Sequence, residues 1–344
     1  MAADEPLVAI CMATHEPEPA LLERQLDSIR AQTHASWVCL ISDDGSEGRR
    51  LERLRELTAG DARFVLSRSA SRLGFYLNFE RALTMVPAEA EFVALADQDD
   101  RWYPEKLTAL LAARGDAELV YSDMRIVEEA GGLLSETFWR GRRNNHTDLG
   151  WLLLANTVTG AASLFRRQLL ERALPFPAPV GAPFHDQWIA AVALASGDLA
   201  YLDRPLYDYV QHDAAAAGHE LAMGRWQPGR RLRWRRPRAS LAAIAAHGER
   251  FYAADLRRIA LNARELEARL GPELGGEKAR AVARLARLDG RRPPLGWLAL
   301  RALRELGGRH EETLGIELAL LNAIVWRGLG SARARLSGGS AGQE

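Results

Sequence analysis

Apolar positions along the first third of the chain alternate between two periods. Leu7–Ala13 is an unbroken apolar run, as expected of a strand covered on both faces. Pro19–Gln32 then places Leu21, Leu22, Leu26 and Ile29 at helical spacing. Trp37–Ser42 predicts a second strand, which runs into Asp43-Asp44-Gly45-Ser46. Gly48–Leu57 reads as a helix, Phe64–Leu66 as a strand and Tyr76–Met85 as a helix. Glu91–Ala96 is a strand running into Asp97-Gln98-Asp99-Asp100. Pro104–Ala113 is a helix with proline in its first turn, and Leu119–Ser122 a further strand. Strands and helices alternating at these lengths predict an α/β fold on a parallel sheet.

Beyond Ala130 the pattern changes. Ser135–Thr147 has no periodicity and reads as a long loop. Leu149–Asn156 and Arg166–Ala173 are expected to be helical, with Thr157–Phe165 extended between them, and Asp186–Ala195 is a further helix. From about Trp226 the chain is rich in Arg, Ala and Leu. Amphipathic helices are expected over Leu241–Leu270, Lys278–Leu288, Leu295–Leu306 and Thr313–Arg327. No internal repeat is found. The domain reading is therefore 1–224 as an α/β domain, 225–330 as a basic helical region and 331–344 as a disordered tail.

Charge sharpens that division. Residues 1–224 hold 21 Lys+Arg against 33 Asp+Glu, whereas 225–294 hold 18 against 7, although the whole chain is neutral. The basic residues are arginine throughout except for Lys106 and Lys278. Cys11 and Cys39 both lie in apolar runs and read as buried thiols, which fits a cytoplasmic protein. The acidic start of the chain lacks a signal-peptide pattern, and no apolar run reaches the ~20 residues of a membrane span.

In an open parallel sheet, ligands sit beyond the carboxyl ends of the strands. Two such ends here carry acidic clusters, Asp43-Asp44 and Asp97-Gln98-Asp99-Asp100. Asp and Gly favour turns, so one cluster would be ordinary. Five acids at neighbouring strand ends repel one another unless a cation joins them. Asp97 and Asp99, two residues apart, suit Mg²⁺ or Mn²⁺, which take hard oxygen ligands together with substrate phosphates.

Taken in order, Val8–His15, Ser42–Ser46, Arg72–Phe79, Ala96–Trp102, Val158–Phe165, His185–Trp188 and Gln211-His212 resemble family-two glycosyltransferases, which have the A-type fold. The Ala96–Trp102 and His185–Trp188 pair looks most like the rhamnosyltransferase-like branch. The resemblance covers about 1–224. It implies that Thr14, Glu16 and Asp43 or Asp44 hold the base and ribose of a nucleotide-diphosphate sugar, and that Arg72 and Asn78 flank that donor. It implies a metal at Asp97 and Asp99, with His212 approaching the metal or diphosphate, and Asp186 as general base. Gly160 falls where the family lets backbone approach a sugar. The chain departs from the family at Thr14-His15-Glu16, where Thr-Tyr-Asn is common, and after His212, where Asp213 and an alanine run follow.

The plain structural alternatives are a helix cap for Asp186, a loop histidine for His212, a supporting role for His185 and core packing for Trp102 and Trp188. The expected activity is metal-dependent, inverting transfer of a sugar to a hydroxyl on a glycan or lipid-linked acceptor, in cell-surface polysaccharide or glycoconjugate synthesis. The alternatives are a nucleotidyltransferase or a degenerate nucleotide-sugar-binding scaffold. Arg225–Arg238 holds seven Arg and two Trp, which predicts contact with an anionic membrane surface at the inner face of the cell membrane. The acidity of 1–224 argues against nucleic acid.

Overall fold

Four of the apolar runs form a parallel block that makes up one end of the sheet. The computed structural model describes residues 5–139, 144–211, 252–307 and 316–328. The strands of the block are β1 (Val8–Thr14), β2 (Trp37–Asp43), β3 (Phe64–Arg68) and β4 (Phe92–Ala96), ordered β3-β2-β1-β4. Thr14 lies level with Asp43, and Met12 with Ala96, so three carboxyl ends open on one edge of the sheet. Helices α1 (Pro19–Arg30), α2 (Gly48–Thr58) and α3 (Phe75–Thr84) connect these strands. Helix α1 turns Leu21, Leu22, Leu26 and Ile29 inward, and they join Ile10, Met12 and Ile41 in the core.

The sheet then becomes mixed. After β4 come β5 (Arg101–Trp102), α4 (Lys106–Ala113), β6 (Leu119–Glu128), β7 (Leu133–Ser135) and α5 (Leu149–Leu154). A 3₁₀ turn at Gly160–Ala162 leads into β8 (Ser163–Arg166), which pairs antiparallel with both β4 and β6. Then follow α6 (Leu170–Ala173), α7 (His185–Ser196) and β9 (Leu199–Gln211), the last parallel to β6. The antiparallel turn at β8 and the long β9 are the departures from the expected parallel pattern. β9 hides from period counting because Asp203 and Arg204 fall in a register shift against β6, between Leu202 and Pro205, and Pro205 sits where a ladder is already interrupted.

The chain divides into two compact units, the first comprising most of residues 1–218 and the second 219–344 with Leu153–Ala155 and Pro177–Pro183. In the second, a π-helical turn (Tyr252–Leu256) leads into α8 (Arg257–Leu270), followed by α9 (Gly276–Leu285), α10 (Leu295–Gly307) and a helix over 316–328. Ile259, Ala263 and Leu266 of α8 are buried, as are Val282 and Leu285 of α9. Arg264 holds Asp289 at 2.6 Å, and buried Glu317 pairs with Arg301 at 3.2 Å. The expected domain limit at 224, the tail and the basic segment Arg225–Arg238 lie outside the described residues. No described helix is long and apolar enough to cross a membrane.

Candidate active site

The ends of β1 and β2 are tied into one polar network. The Thr14 hydroxyl donates to Asp43 Oδ1 at 3.1 Å. Asp43 also accepts the Ser46 amide at 3.0 Å and the Ser46 hydroxyl at 2.5 Å, which closes the acidic turn after β2. Asp44 accepts the Leu73 and Gly74 amides at 2.6 and 2.8 Å, and so pins the loop that carries exposed Arg72. The Asn78 amide group donates to the Thr14 and Ser42 carbonyls at 3.1 and 2.9 Å, while its oxygen accepts the Ser42 hydroxyl at 2.6 Å. Both of its N–H groups are thereby used, and Asn78 braces the strand ends from a buried position.

His15 and Gln98 clamp the first strand end to the β4 loop. The His15 amide donates to Gln98 Oε1 at 2.9 Å, and Gln98 Nε2 returns a bond to the His15 carbonyl at 3.3 Å. Glu16 follows with φ +44°, the left-handed region that a residue with a Cβ enters at a cost. Its amide donates to the Ser46 hydroxyl at 2.8 Å and its carboxylate accepts the Glu47 amide at 2.8 Å. Glu16 thus holds two loops together where the family commonly has asparagine, a residue that tolerates this conformation.

Beyond β4 the acids crowd. Asp97 and Asp99 are partly exposed, whereas Asp100 is fully buried. Burial, then the neighbouring charges of Asp99 and Asp186, push the Asp97 carboxyl up to about 7. These carboxylates therefore stand close enough to repel, although they come from β4 and α7. Among the described residues no three His, Cys, Asp or Glu side chains gather into a protein-only metal cage. Two partly exposed carboxylates with excess negative charge nevertheless fit a hard divalent ion that completes its shell with phosphate and water. His212 lies outside the described residues.

Asp186 stands in the first turn of α7, where its Oδ1 accepts the next amide, that of Gln187, at 2.6 Å. The N-cap position belongs to Phe184, so Asp186 is not the helix cap. His185 stacks on Phe79, with ring centroids 3.7 Å apart and planes at 17°. Burial pushes its imidazole down to about 3, so the ring is neutral. A Cβ on Gly160 would lie 2.8 Å from His185 Nε2 and 3.4 Å from Asp186 Cβ. The missing side chain at 160 therefore lets the 3₁₀ turn press against the start of α7. Trp102 and Trp188 are buried, and Trp188 donates to the Ala173 carbonyl at 2.8 Å.

One buried residue at the site carries no motif of its own. Lys106, at the start of α4, is fully enclosed, with its ammonium bonded to the Ala161 carbonyl and set over the rings of Trp102 and Tyr207 at 3.7 and 4.4 Å. The signal that could have found it is its type, since it is one of two lysines among 45 basic residues.

This strand-end arrangement coincides with a sequence match. Residues 9–174 match the model described as Glycosyl transferase family 2. Over that stretch, just under half of its length, the chain is similar to glycosyltransferase family 2. Asp186 lies beyond the matched stretch. An uncharacterized protein, y4gI, of Sinorhizobium fredii is 30% identical over 131 residues, 37% of this chain and 14% of that protein. An uncharacterized glycosyltransferase, MJ1057, of Methanocaldococcus jannaschii is 26% identical over 137 residues, 39% of this chain and 47% of its own length. The chain thus spans less than half the length of either relative. Among solved structures, residues 1–349 of S. aureus TarS with UDP-GlcNAc superpose with TM-score 0.54 at 15% identity, covering 93% of this chain and 89% of that one. The mannosyltransferase PcManGT of Pyrobaculum calidifontis, with GDP-Man and Mn²⁺, gives 0.50 at 17% identity, covering 94% and 87%. At these identities the likeness establishes the A-type fold and no more.

Proposed function

We propose that this domain moves a sugar from a nucleotide-diphosphate donor to an acceptor hydroxyl, with inversion. The observation that carries the reading is the gathering of Asp97, Asp99 and Asp186, where burial and then the charges of Asp99 and Asp186 raise the Asp97 carboxyl. Asp97 and Asp99 hold Mg²⁺ or Mn²⁺. Once bound, the ion supplies positive charge that offsets the negative charge of the departing diphosphate. Thr14, Glu16, Asp43, Asp44, Arg72 and Asn78 build the donor end of the cleft, either touching the nucleotide or fixing the loops around it. Asp186 accepts the proton of the acceptor hydroxyl as its oxygen attacks the anomeric carbon. The bond from that carbon to the diphosphate oxygen breaks on the opposite face, and nucleoside diphosphate leaves. Gly160 keeps the wall behind Asp186 close, and His212 is assigned to the diphosphate side on the strength of its motif.

The acceptor is a glycan or lipid-linked hydroxyl, in polysaccharide or glycoconjugate synthesis at the cytoplasmic face of the membrane. The likeness to the rhamnosyltransferase-like branch rests on Ala96–Trp102 and His185–Trp188. Calorimetric titration with UDP, GDP, dTDP, CDP and ADP tests the donor site. One or more is expected to bind with Mn²⁺ present, to lose most of its affinity in EDTA, and to lose it equally in Asp97→Asn. If none binds with Mn²⁺ present, the donor-site reading is wrong.

A further inference from the structure

The crevice between α1 and β5 is lined by charges that do not balance. It encloses about 500 Å³, and its walls include Glu23, Arg24 and Asp27 on one side and Arg101, Trp102 and Pro104 on the other. The Trp102 amide donates to Ser28 Oγ at 3.0 Å, which fixes the two walls to each other. Both acids are already paired with arginines that do not line the crevice, Glu23 with Arg53 at 2.9 Å and Asp27 with Arg30 at 2.7 Å. Arg24 and Arg101 have no carboxylate partner among the described residues. Two uncompensated positive charges therefore share this crevice, in a region where acids outnumber bases by 33 to 21. Arg24 shows a second sign of a missing acceptor. Its Nη2 donates to the Asp99 carbonyl at 3.2 Å, while its Nε–H is buried with no hydrogen-bond partner. The indole Nε1–H of Trp102, a residue only 2% exposed, is buried and unpartnered as well. Buried donors without an acceptor are costly. Guanidinium forks match the oxygens of a phosphate group, which accepts several hydrogen bonds at once. A crevice of this size takes a small molecule.

We propose that the α1–β5 crevice is a binding site for a small phosphate dianion, free or as a monoester, in addition to the donor site. Arg24 and Arg101 hold the phosphate oxygens, and Trp102 and Pro104 form the wall beside it. Arg24 also holds the Asp99 carbonyl, so an occupant that engages its guanidinium bears on the position of the loop after β4. The site does not depend on the metal reading, and it is tested without metal.

The test is hydrogen–deuterium exchange on the full chain in EDTA at pH 8, with inorganic phosphate as the probe and chloride as the control at equal ionic strength. Phosphate is expected to slow exchange in peptides covering 20–31 and 101–104, and chloride is not. Arg101→Ser, at an exposed position, is expected to raise the half-saturating phosphate concentration about fivefold or more, with Tm in chloride unchanged within about 1 °C. Arg24→Gln is expected to abolish the protection. Should Arg24→Gln fail to fold, Arg101→Ser decides alone. Glucose 6-phosphate, run beside inorganic phosphate, separates the sources: tighter binding of the ester identifies a monoester, and equal binding identifies phosphate itself. No protection at about 20 mM of either, protection confined to 225–294, or equal protection by chloride would each overturn the proposal. Unchanged half-saturation in Arg101→Ser would overturn it too.

Discussion

Asp97 is the residue on which the site turns. A carboxyl held at about 7 by burial and by two like charges is half protonated at neutral pH unless a cation arrives. Its folded-state value lies above the ordinary ~3.9, so the stability it contributes is fully present below about pH 4 and lost as pH rises through about 7. The metal-free protein is therefore expected to melt at a lower temperature at pH 8 than at pH 5, with Mn²⁺ raising Tm at pH 8. Deprotonation precedes ligation, so Mn²⁺ affinity should rise about tenfold from pH 6 to pH 8. A flat affinity profile across that range would remove Asp97 from the ion. Asp186 makes a separate prediction. Asp186→Asn keeps the shape but cannot take a proton, so transfer should fall by about 100-fold or more while donor affinity stays within threefold. Comparing turnover with donor titration separates the two, and an unchanged turnover means that another group is the base. The acids themselves were legible in the chain, because carboxylates at two strand ends carry a charge problem that any fold must solve. Lys106 was not, since one lysine in a helix start has no period and no motif, and its meaning comes only from the rings and carbonyl that enclose it.

At the scale of elements, the site depends on how closely a turn and a helix approach. Gly160→Ala places a methyl where His185 stands, and His185 is trapped against Phe79. The ring must move and take the first turn of α7 with it. The expected result is a stability loss of about 1–3 kcal/mol and a fall in turnover of at least tenfold, with donor affinity nearly unchanged. Wild-type kinetics in Gly160→Ala would show that the turn is free to retreat. Asn78→Ala should act differently, removing the donors to the Thr14 and Ser42 carbonyls, and cost about 1–3 kcal/mol, read as a lower denaturant midpoint. Period counting recovers the parallel block β1 to β4 and its three helices, because each strand begins with an apolar run of at least three residues. It missed β5, β7 and β9, because two are short and β9 carries charged residues through a register shift. It read Thr157–Phe165 as extended, whereas Gly160–Ala162 is a 3₁₀ turn, a difference set by the approach of α7 rather than by local propensity.

For the whole molecule, the uneven charge is the feature that folding leaves unexplained. The excess of eleven positive charges in 225–294 contrasts with an excess of twelve negative ones in 1–224. Each arginine near an anionic bilayer contributes about 1 kcal/mol, so the purified protein is expected to sediment with anionic liposomes at low salt, to ignore neutral ones, and to be released by added salt. Absence of sedimentation at low salt would leave the basic segment without a membrane role. The chemistry of the site is read most directly from the nucleotide that leaves. Wild-type protein is incubated with a panel of nucleotide sugars and Mn²⁺, and the released nucleotide is identified. Metal-dependent sugar transfer releases nucleoside diphosphate from at least one sugar donor, and this release is expected to be abolished by EDTA and by Asp97→Asn. Pyrophosphate release, or nucleoside diphosphate release undiminished in EDTA, would contradict it.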